Sequence, residues 1–331
     1  MWFKKLTGFN EDKADLVRQQ LSVNDGMLTS LANGKTFQCG RLEVPSLDDL
    51  RQQVFALNVT GNKTTVREVV ADTQALHLDQ GNEHALFQVA SQFNLLEMMS
   101  PSVTPEAGID DYEYDLTQGP ACAIAAGAGT IYRQYFVPVD GGVGQSAQHQ
   151  IDCLSGISRA LNNEGNVLWT MQNGYALASE EGLHAINQKL QVMSVQQRGE
   201  LEGLLKIGIQ WQTEVTLSAT QHLVSQAYCS ALPVSYSKHS AELWADFAQL
   251  VLDATYEATF CAAILNQQAT GNNTLFLTLI GGGAFGNKQK WIINAIRRAL
   301  KKYAQYGLDV AMVSYKHAKP DLMDAILRVR A

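Results

Sequence analysis

The sequence predicts an α/β protein in which a mixed or parallel sheet is sandwiched between helices. Three observations carry this. From about residue 64 onward, short strand candidates alternate with longer helix candidates. Some strand candidates are apolar at nearly every position, as in Leu275-Phe276-Leu277-Thr278-Leu279-Ile280, the pattern of strands covered on both faces. A glycine-rich turn, Gly281–Gly286, then joins that strand to a strongly amphipathic helix. The 331 residues, 46% hydrophobic and 17% charged, suit a core-forming chain with room for one large domain or a large one plus a small one.

Residues 1–63 read as a small α+β extension, set off by Gly61-Asn62-Lys63 from a large domain over 64–331. The extension is expected to hold a helix around Glu11–Leu21 and a strand over Thr36–Val44. A second helix follows, with Ser46 as N-cap and Asp48 and Asp49 in its first turn. In the large domain the strand candidates are Thr65–Val70, Ala85–Ser91, Val167–Met171, Ile209–Leu217, Leu223–Tyr228, Thr274–Ile280 and Val310–Tyr315. The helix candidates are Pro120–Phe136, Ala147–Asn162, Glu180–Val192, Val195–Leu205, Ala241–Gln267, Gln289–Tyr303 and Asp321–Arg328. Ser179 and Ser240 supply capped starts for two of them.

Composition narrows the function classes. A formal net charge of −7 argues against a general electrostatic grip on nucleic acid. The five cysteines are widely spaced and form no CxxC pair, which suits buried thiols in a reducing compartment. The longest apolar stretches, near Phe260–Leu265 and Ala121–Ala128, fall far short of the roughly 18–20 residues that span a bilayer. The region after Met1 lacks the apolar run of a signal peptide, so the cytoplasm is the expected location. Seven histidines show no HExxH pattern or close pairing, and no metal or cofactor is expected.

Chemistry concentrates in two stretches. In Gly281-Gly282-Gly283-Ala284-Phe285-Gly286-Asn287, four glycines within six residues let the backbone turn through positive φ and approach a ligand closely. A helix start beyond it favours an anion. The loop lacks the Gly-Lys-[Ser/Thr] ending of a Walker A motif, and its late position differs from a dinucleotide fingerprint at a first βα turn. The second stretch is a buried strand followed by Gln92-Phe93-Asn94, then Gly108-Ile109-Asp110-Asp111-Tyr112-Glu113-Tyr114-Asp115, then a helix opened by Gly119-Pro120. Four carboxylates in six residues ahead of a helix start read equally as a solvated cluster or as acid–base groups.

Strand–Gly-Gly-Gly-Ala-Phe-Gly-Asn–helix is similar to the second phosphate loop of macrodomains, especially the poly(ADP-ribose) glycohydrolase branch. The Gln92–Pro120 stretch resembles the ribose-binding and catalytic half of the same fold. Thr117-Gln118-Gly119-Pro120-Ala121-Cys122-Ala123 and Ser230-Ala231-Leu232-Pro233-Val234 resemble a divergent branch, the MavL-type ADP-ribosylhydrolases. The resemblance spans roughly residues 64–316. It departs from the glycohydrolase pattern in having aspartates where paired glutamates follow a glycine run.

The resemblance implies a three-layer macrodomain-like sandwich with a mixed central sheet. It implies hydrolysis of an ADP-ribosyl group through an oxocarbenium-like state, with ADP-ribose or an ADP-ribosylated protein as partner. Asp110, Asp111 and Asp115 are then the catalytic candidates. Asn94 is the ribose ligand. Gly119, Gly281, Gly282, Gly283, Ala284, Phe285, Gly286 and Asn287 hold the remainder, with Phe285 stacked on the distal ribose. A non-catalytic module that binds ADP-ribose or a related nucleotide is the alternative, since a reader needs the phosphate loops but no carboxylate.

Overall fold

The computed structural model describes residues 1–59, 61–217 and 219–327. The central sheet has seven strands. They are β1 (Arg41–Glu43), β2 (Thr65–Val70), β3 (Leu86–Ala90), β4 (Gly208–Glu214), β5 (Leu223–Cys229), β6 (Thr274–Leu277) and β7 (Asp309–Ser314). Their spatial order is β1-β4-β5-β3-β6-β7-β2. The strands β5, β3, β6, β7 and β2 run parallel, while β4 is antiparallel to both of its neighbours. The sheet is therefore mixed.

Alternating residues on these strands enter two different packing layers. Leu275, Leu277, Val310 and Met312 join the large core beneath the 30-residue helix Ala241–Thr270. Phe276, Ala311, Phe87 and Val224 form a separate cluster on the other face, near the helix Thr73–Leu78. There the buried His77 ring stacks on Phe87 at 3.8 Å between centroids. Apolar side chains on both faces account for the near-continuous hydrophobic runs of β6 and β7.

Residues 1–63 are woven into this architecture. Their β1 pairs with β4. The helix Leu47–Ala56, capped by Ser46 and Asp49 in a reciprocal capping box, packs on the long helix. From it Arg51 reaches the buried Glu257, with Nε 2.6 Å from Oε1. Ahead of these come a helix at Trp2–Thr7 and a three-stranded antiparallel sheet over Leu21–Asn24, Met27–Ser30 and Thr36–Gln38.

Several elements differ from the sequence expectation for identifiable reasons. The Thr36–Val44 strand is two strands, broken at Cys39–Gly40. Gly40 has φ +72°, and a Cβ there would sit 2.2 Å from the carbonyl oxygen of Trp211. The Pro120–Phe136 helix is likewise two, Gln118–Ala125 and Gly127–Tyr135, because the Gly127 amide donates to the Thr216 hydroxyl. Of the Ala147–Asn162 helix only Ser155–Ala160 is helical; side-chain amides of Gln145 and Gln150 hold the preceding segment open. Val167–Met171 gives way to Trp169–Gln172, one arm of a separate hairpin with Tyr175–Ala178. The last helix runs Pro320–Leu327, and Arg328 lies outside the described residues. Among the described residues no helix is long and apolar enough to cross a membrane.

Candidate active site

A cleft of about 320 Å³ opens where the C-terminal ends of β3, β5 and β6 meet. This is the edge of a parallel sheet at which α/β proteins bind ligands. Ala90 ends β3 and Ser91 and Gln92 follow it, Cys229 ends β5 and Ala231 follows it, and Thr278–Gly281 follow β6. The start of the Gln118 helix, Glu97, Asp115, Tyr175, Tyr236 and the loop residues Gly283–Phe285 are among the other lining residues.

The glycine loop is bent away from the sheet by a single side chain. The Tyr256 hydroxyl donates to the carbonyl of Thr278 at 2.7 Å and accepts from the Ile280 amide at 3.0 Å. This ends β6 at Leu277, three residues earlier than its apolar run suggests. The loop then closes on itself: the Asn287 amide donates to the Gly281 carbonyl at 2.9 Å and the Gly286 amide to Gly283 at 3.0 Å. The Asn287 side chain ties it to the Leu232 carbonyl at 2.8 Å, and the Ser235 amide donates to the Phe285 carbonyl at 3.1 Å. Gly281 and Gly286 adopt φ of +73° and +69°, which explains glycine at those positions. Among the described residues, the amides of Gly283, Ala284 and Phe285 donate to no protein acceptor. All three residues line the cleft. Such a run of unspent amides is an anion-binding surface. The helix that follows begins at Gln289, after Lys288 as N-cap.

The opposite wall is the loop Gln92–Met98, held by a dense polar network. Gln92 accepts from the Met98 amide at 2.8 Å, and Tyr175 donates to the Met98 carbonyl at 2.6 Å. The Gln118 side chain acts as a short extra strand beside β3. It accepts from the Ala90 amide and donates to the Gln88 carbonyl, both at 2.8 Å. Gly119 is pressed against this strand: a Cβ there would lie 2.0 Å from the Ala90 carbonyl and 3.2 Å from Glu97 Cγ. Gly119→Ala should therefore cost about 1–3 kcal/mol by overpacking, read as a lower denaturation midpoint at unchanged m-value. An unchanged midpoint would show that the helix start is free to move.

Glu97 is the most unusual group of this wall. Its side chain is buried, at 2% exposure, and both carboxyl oxygens lack a hydrogen-bond partner. Burial pushes its pKa up to about 8, against the lowering influence of the buried Arg133, with Asp115 adding a further raise. Arg133 itself lies over the Tyr228 ring at 3.6 Å and donates to the Leu95 carbonyl. A carboxyl group that keeps its proton near neutrality is equipped to donate it.

The candidates read from the sequence fall into two groups. Asp115, Gly119, Gly281, Gly283, Ala284 and Phe285 line the cleft; Gly282, Gly286 and Asn287 shape the loop behind it. Asp110 is buried away from the cleft, where its carboxylate accepts the Phe3 amide at 3.3 Å and burial raises its pKa. Asp111 is exposed and does not line the cleft. Asn94 is fully buried; its Oδ1 accepts the Leu96 amide and its Nδ2 donates to Gln150 at 2.8 Å, so it braces the loop from behind. Glu97, Tyr175 and Tyr236 were not singled out in sequence. Glu97 sits in an apolar run, Leu95-Leu96-Glu97-Met98-Met99, and a charge at such a position is the available signal. Phe285 packs against Tyr175 at 5.3 Å and Tyr236 at 5.6 Å, forming an aromatic corner of the cleft.

No family model and no curated protein matches the chain. Among solved structures it is similar to the poly(ADP-ribose) glycohydrolase from Thermomonospora curvata, at 11% identity and TM-score 0.47, over 94% of each chain. It is similar also to the poly(ADP-ribose) glycohydrolase from Deinococcus radiodurans in complex with ADP-ribose. That match has 12% identity and TM-score 0.44, covering 86% of this chain and 92% of that one.

Proposed function

We propose that the protein is an ADP-ribosyl hydrolase, releasing ADP-ribose from a modified protein or small adduct. The observation that carries this reading is a buried, unpartnered carboxyl, Glu97, in the same cleft as the free amides of Gly283–Phe285. The amides suit a diphosphate, whose binding would fix the anomeric carbon against the acidic wall. Protonated Glu97 is assigned the general acid: it gives its proton to the departing acceptor atom as the bond to the anomeric carbon breaks. Water adds to that carbon, and Asp115 takes the proton that water sheds while its charge stabilises the oxocarbenium-like state. Asp115 receives this role over Asp110 and Asp111 because it lines the cleft. Phe285, in the aromatic corner, offers its ring to the distal ribose.

The motifs Thr117–Ala123 and Ser230–Val234 support assignment to the divergent MavL-type branch. A binding module without turnover is the second reading; it uses the same amides and leaves Glu97 idle.

Gly283→Val tests the ligand assignment cleanly. Nothing lies within 4 Å of a Cβ built at Gly283, and its φ is not positive, so the substitution fills the cleft without straining the loop. Wild type at a hundredfold excess of ADP-ribose over Kd should gain about 2.7 kcal/mol of stability. The variant should melt at the same temperature without ligand and gain little with it. Equal ligand-induced shifts in both proteins would sink the loop assignment.

A further inference from the structure

The walls of the cleft differ in charge, and the rim of one of them is apolar. Between Arg67 and Arg133 the chain has ten carboxylates and no lysine or arginine. From this stretch Asp115 lines the cleft as a carboxylate and Glu97 as a protonated carboxyl, while exposed Asp111 stands on the turn leading to Asp115 beside Glu113, which pairs with the N-terminal ammonium at 3.3 Å. The facing wall is the glycine loop with its unspent amides, followed directly by exposed Lys288 and Lys290. A ligand bridging both walls is best matched when it is anionic at the loop and cationic at the acidic turn. A diphosphate meets the first condition only. What meets the second must lie beyond it.

The acidic turn also carries large apolar side chains in water. Leu116 is 95% exposed, Tyr114 62% and Met99 57%. Met99 lines the cleft itself, and Leu116 lies between the lining residues Asp115 and Thr117. Single exposed apolar residues are ordinary; Met99 at the cleft mouth, with Leu116 and Tyr114 on the charged turn that carries the lining residue Asp115, has the composition of an interaction surface. The acids alone would read as a solvated turn. Glu97 connects them to a ligand, because its unpartnered, buried carboxyl lines the cleft from the same stretch.

We propose that this turn and rim dock the protein half of the substrate, a basic segment carrying a large apolar side chain beside its ADP-ribosylated residue. This rests on the ADP-ribose reading above. Carboxylates on the rim steer a basic partner in, with an effect that salt screens. Leu116, Tyr114 and Met99 supply the short-range contact that loses its water on docking. An acidic partner surface would meet like charge at the same place.

The test uses the full chain carrying Glu97→Gln, so that the peptides are bound and not cleaved, and two short fluorescent peptides, each with one serine-linked ADP-ribose. One is flanked by lysines and leucines, the other by glutamates and leucines. Fluorescence anisotropy should give the basic peptide at least about tenfold tighter binding at low salt. The advantage should collapse near 1 M salt, where the screening length falls to about 3 Å. Leu116→Lys should weaken the basic peptide by a similar factor and leave the Kd for free ADP-ribose unchanged. Equal affinity for the two peptides, or no response to Leu116→Lys, overturns the docking surface. Failure of free ADP-ribose to bind overturns the underlying reading instead. The unmodified peptides, measured alongside, then decide docking by the same criterion.

Discussion

Glu97→Gln is expected to slow ADP-ribose release by about 10²–10⁴-fold, the usual loss when a positioned acid is removed. The amide keeps the shape of the carboxyl but cannot hand over a proton. Binding of free ADP-ribose should persist, because the amides of Gly283, Ala284 and Phe285 are untouched. In wild type, activity should fall as pH rises through about 8, where Glu97 loses its proton; in the variant that limb should vanish. Single-turnover release and calorimetry on the same preparations separate the outcomes. Wild type that binds ADP-ribose but frees none from serine-, arginine- or glutamate-linked adducts makes the protein a reader. A variant that binds and turns over like wild type removes Glu97 from the chemistry. Joint loss of binding and activity would make Glu97 a ligand-positioning group.

The same carboxyl should leave a large mark on stability. Its pKa in the folded protein is pushed up to about 8 by burial, above the 4.5 of an exposed glutamate. Below pH 4.5 both folded and unfolded chains hold the proton, and Glu97 imposes no charge penalty beyond that of a buried neutral polar group. Between 4.5 and 8 the folded chain keeps a proton that the unfolded chain releases, so stability falls as pH rises. Above 8 the loss levels off, at a total on the order of 5 kcal/mol. Glu97→Gln removes this loss. Its advantage over wild type should be slight at pH 4.5 and should grow steadily to pH 8.5 in urea denaturation. Asp253, raised to about 6 by burial, acts in the same direction over a narrower interval, but it is common to both proteins and cancels in the comparison. A constant difference across this range would mean that the Glu97 carboxyl is solvated.

The layered fold was legible because its strands are written in apolar runs that need two covered faces. The turn after β6 was legible because Gly281 and Gly286 occupy positions with positive φ. What escaped was set by contacts between distant segments. β6 ends where Tyr256 captures Thr278 and Ile280, and Tyr256 lies in another element. Asn94 follows a strand in sequence as a ribose ligand would. Yet Gly174, with φ +80°, packs so closely that a Cβ there would lie 2.6 Å from the Asn94 side-chain oxygen. The aspartates of the acidic turn were indistinguishable by spacing. Asp110 is drawn inward because the N-terminal helix offers it the Phe3 amide, and Glu11 holds the same turn through the amides of Ile109 and Asp110. Glu97 was hidden for the opposite reason: one acid in an apolar run looks like an interruption until its burial is known.

The entry of residues 41–43 into the central sheet governs how the chain can be cut. β1 covers only Ile209, Gln210 and Trp211 of β4. Beyond it Gln38 takes over, its amide donating to the Glu214 carboxylate and its side chain to the Gln212 carbonyl, at 2.9 and 3.0 Å. A fragment beginning at residue 64 would strip both covers and leave β4 as a bare edge, a template for pairing with a second copy. It would also leave the buried Glu257 without Arg51, one of its charge partners. Such a fragment should precipitate or self-associate where the full chain stays monodisperse, even with every residue of the cleft retained.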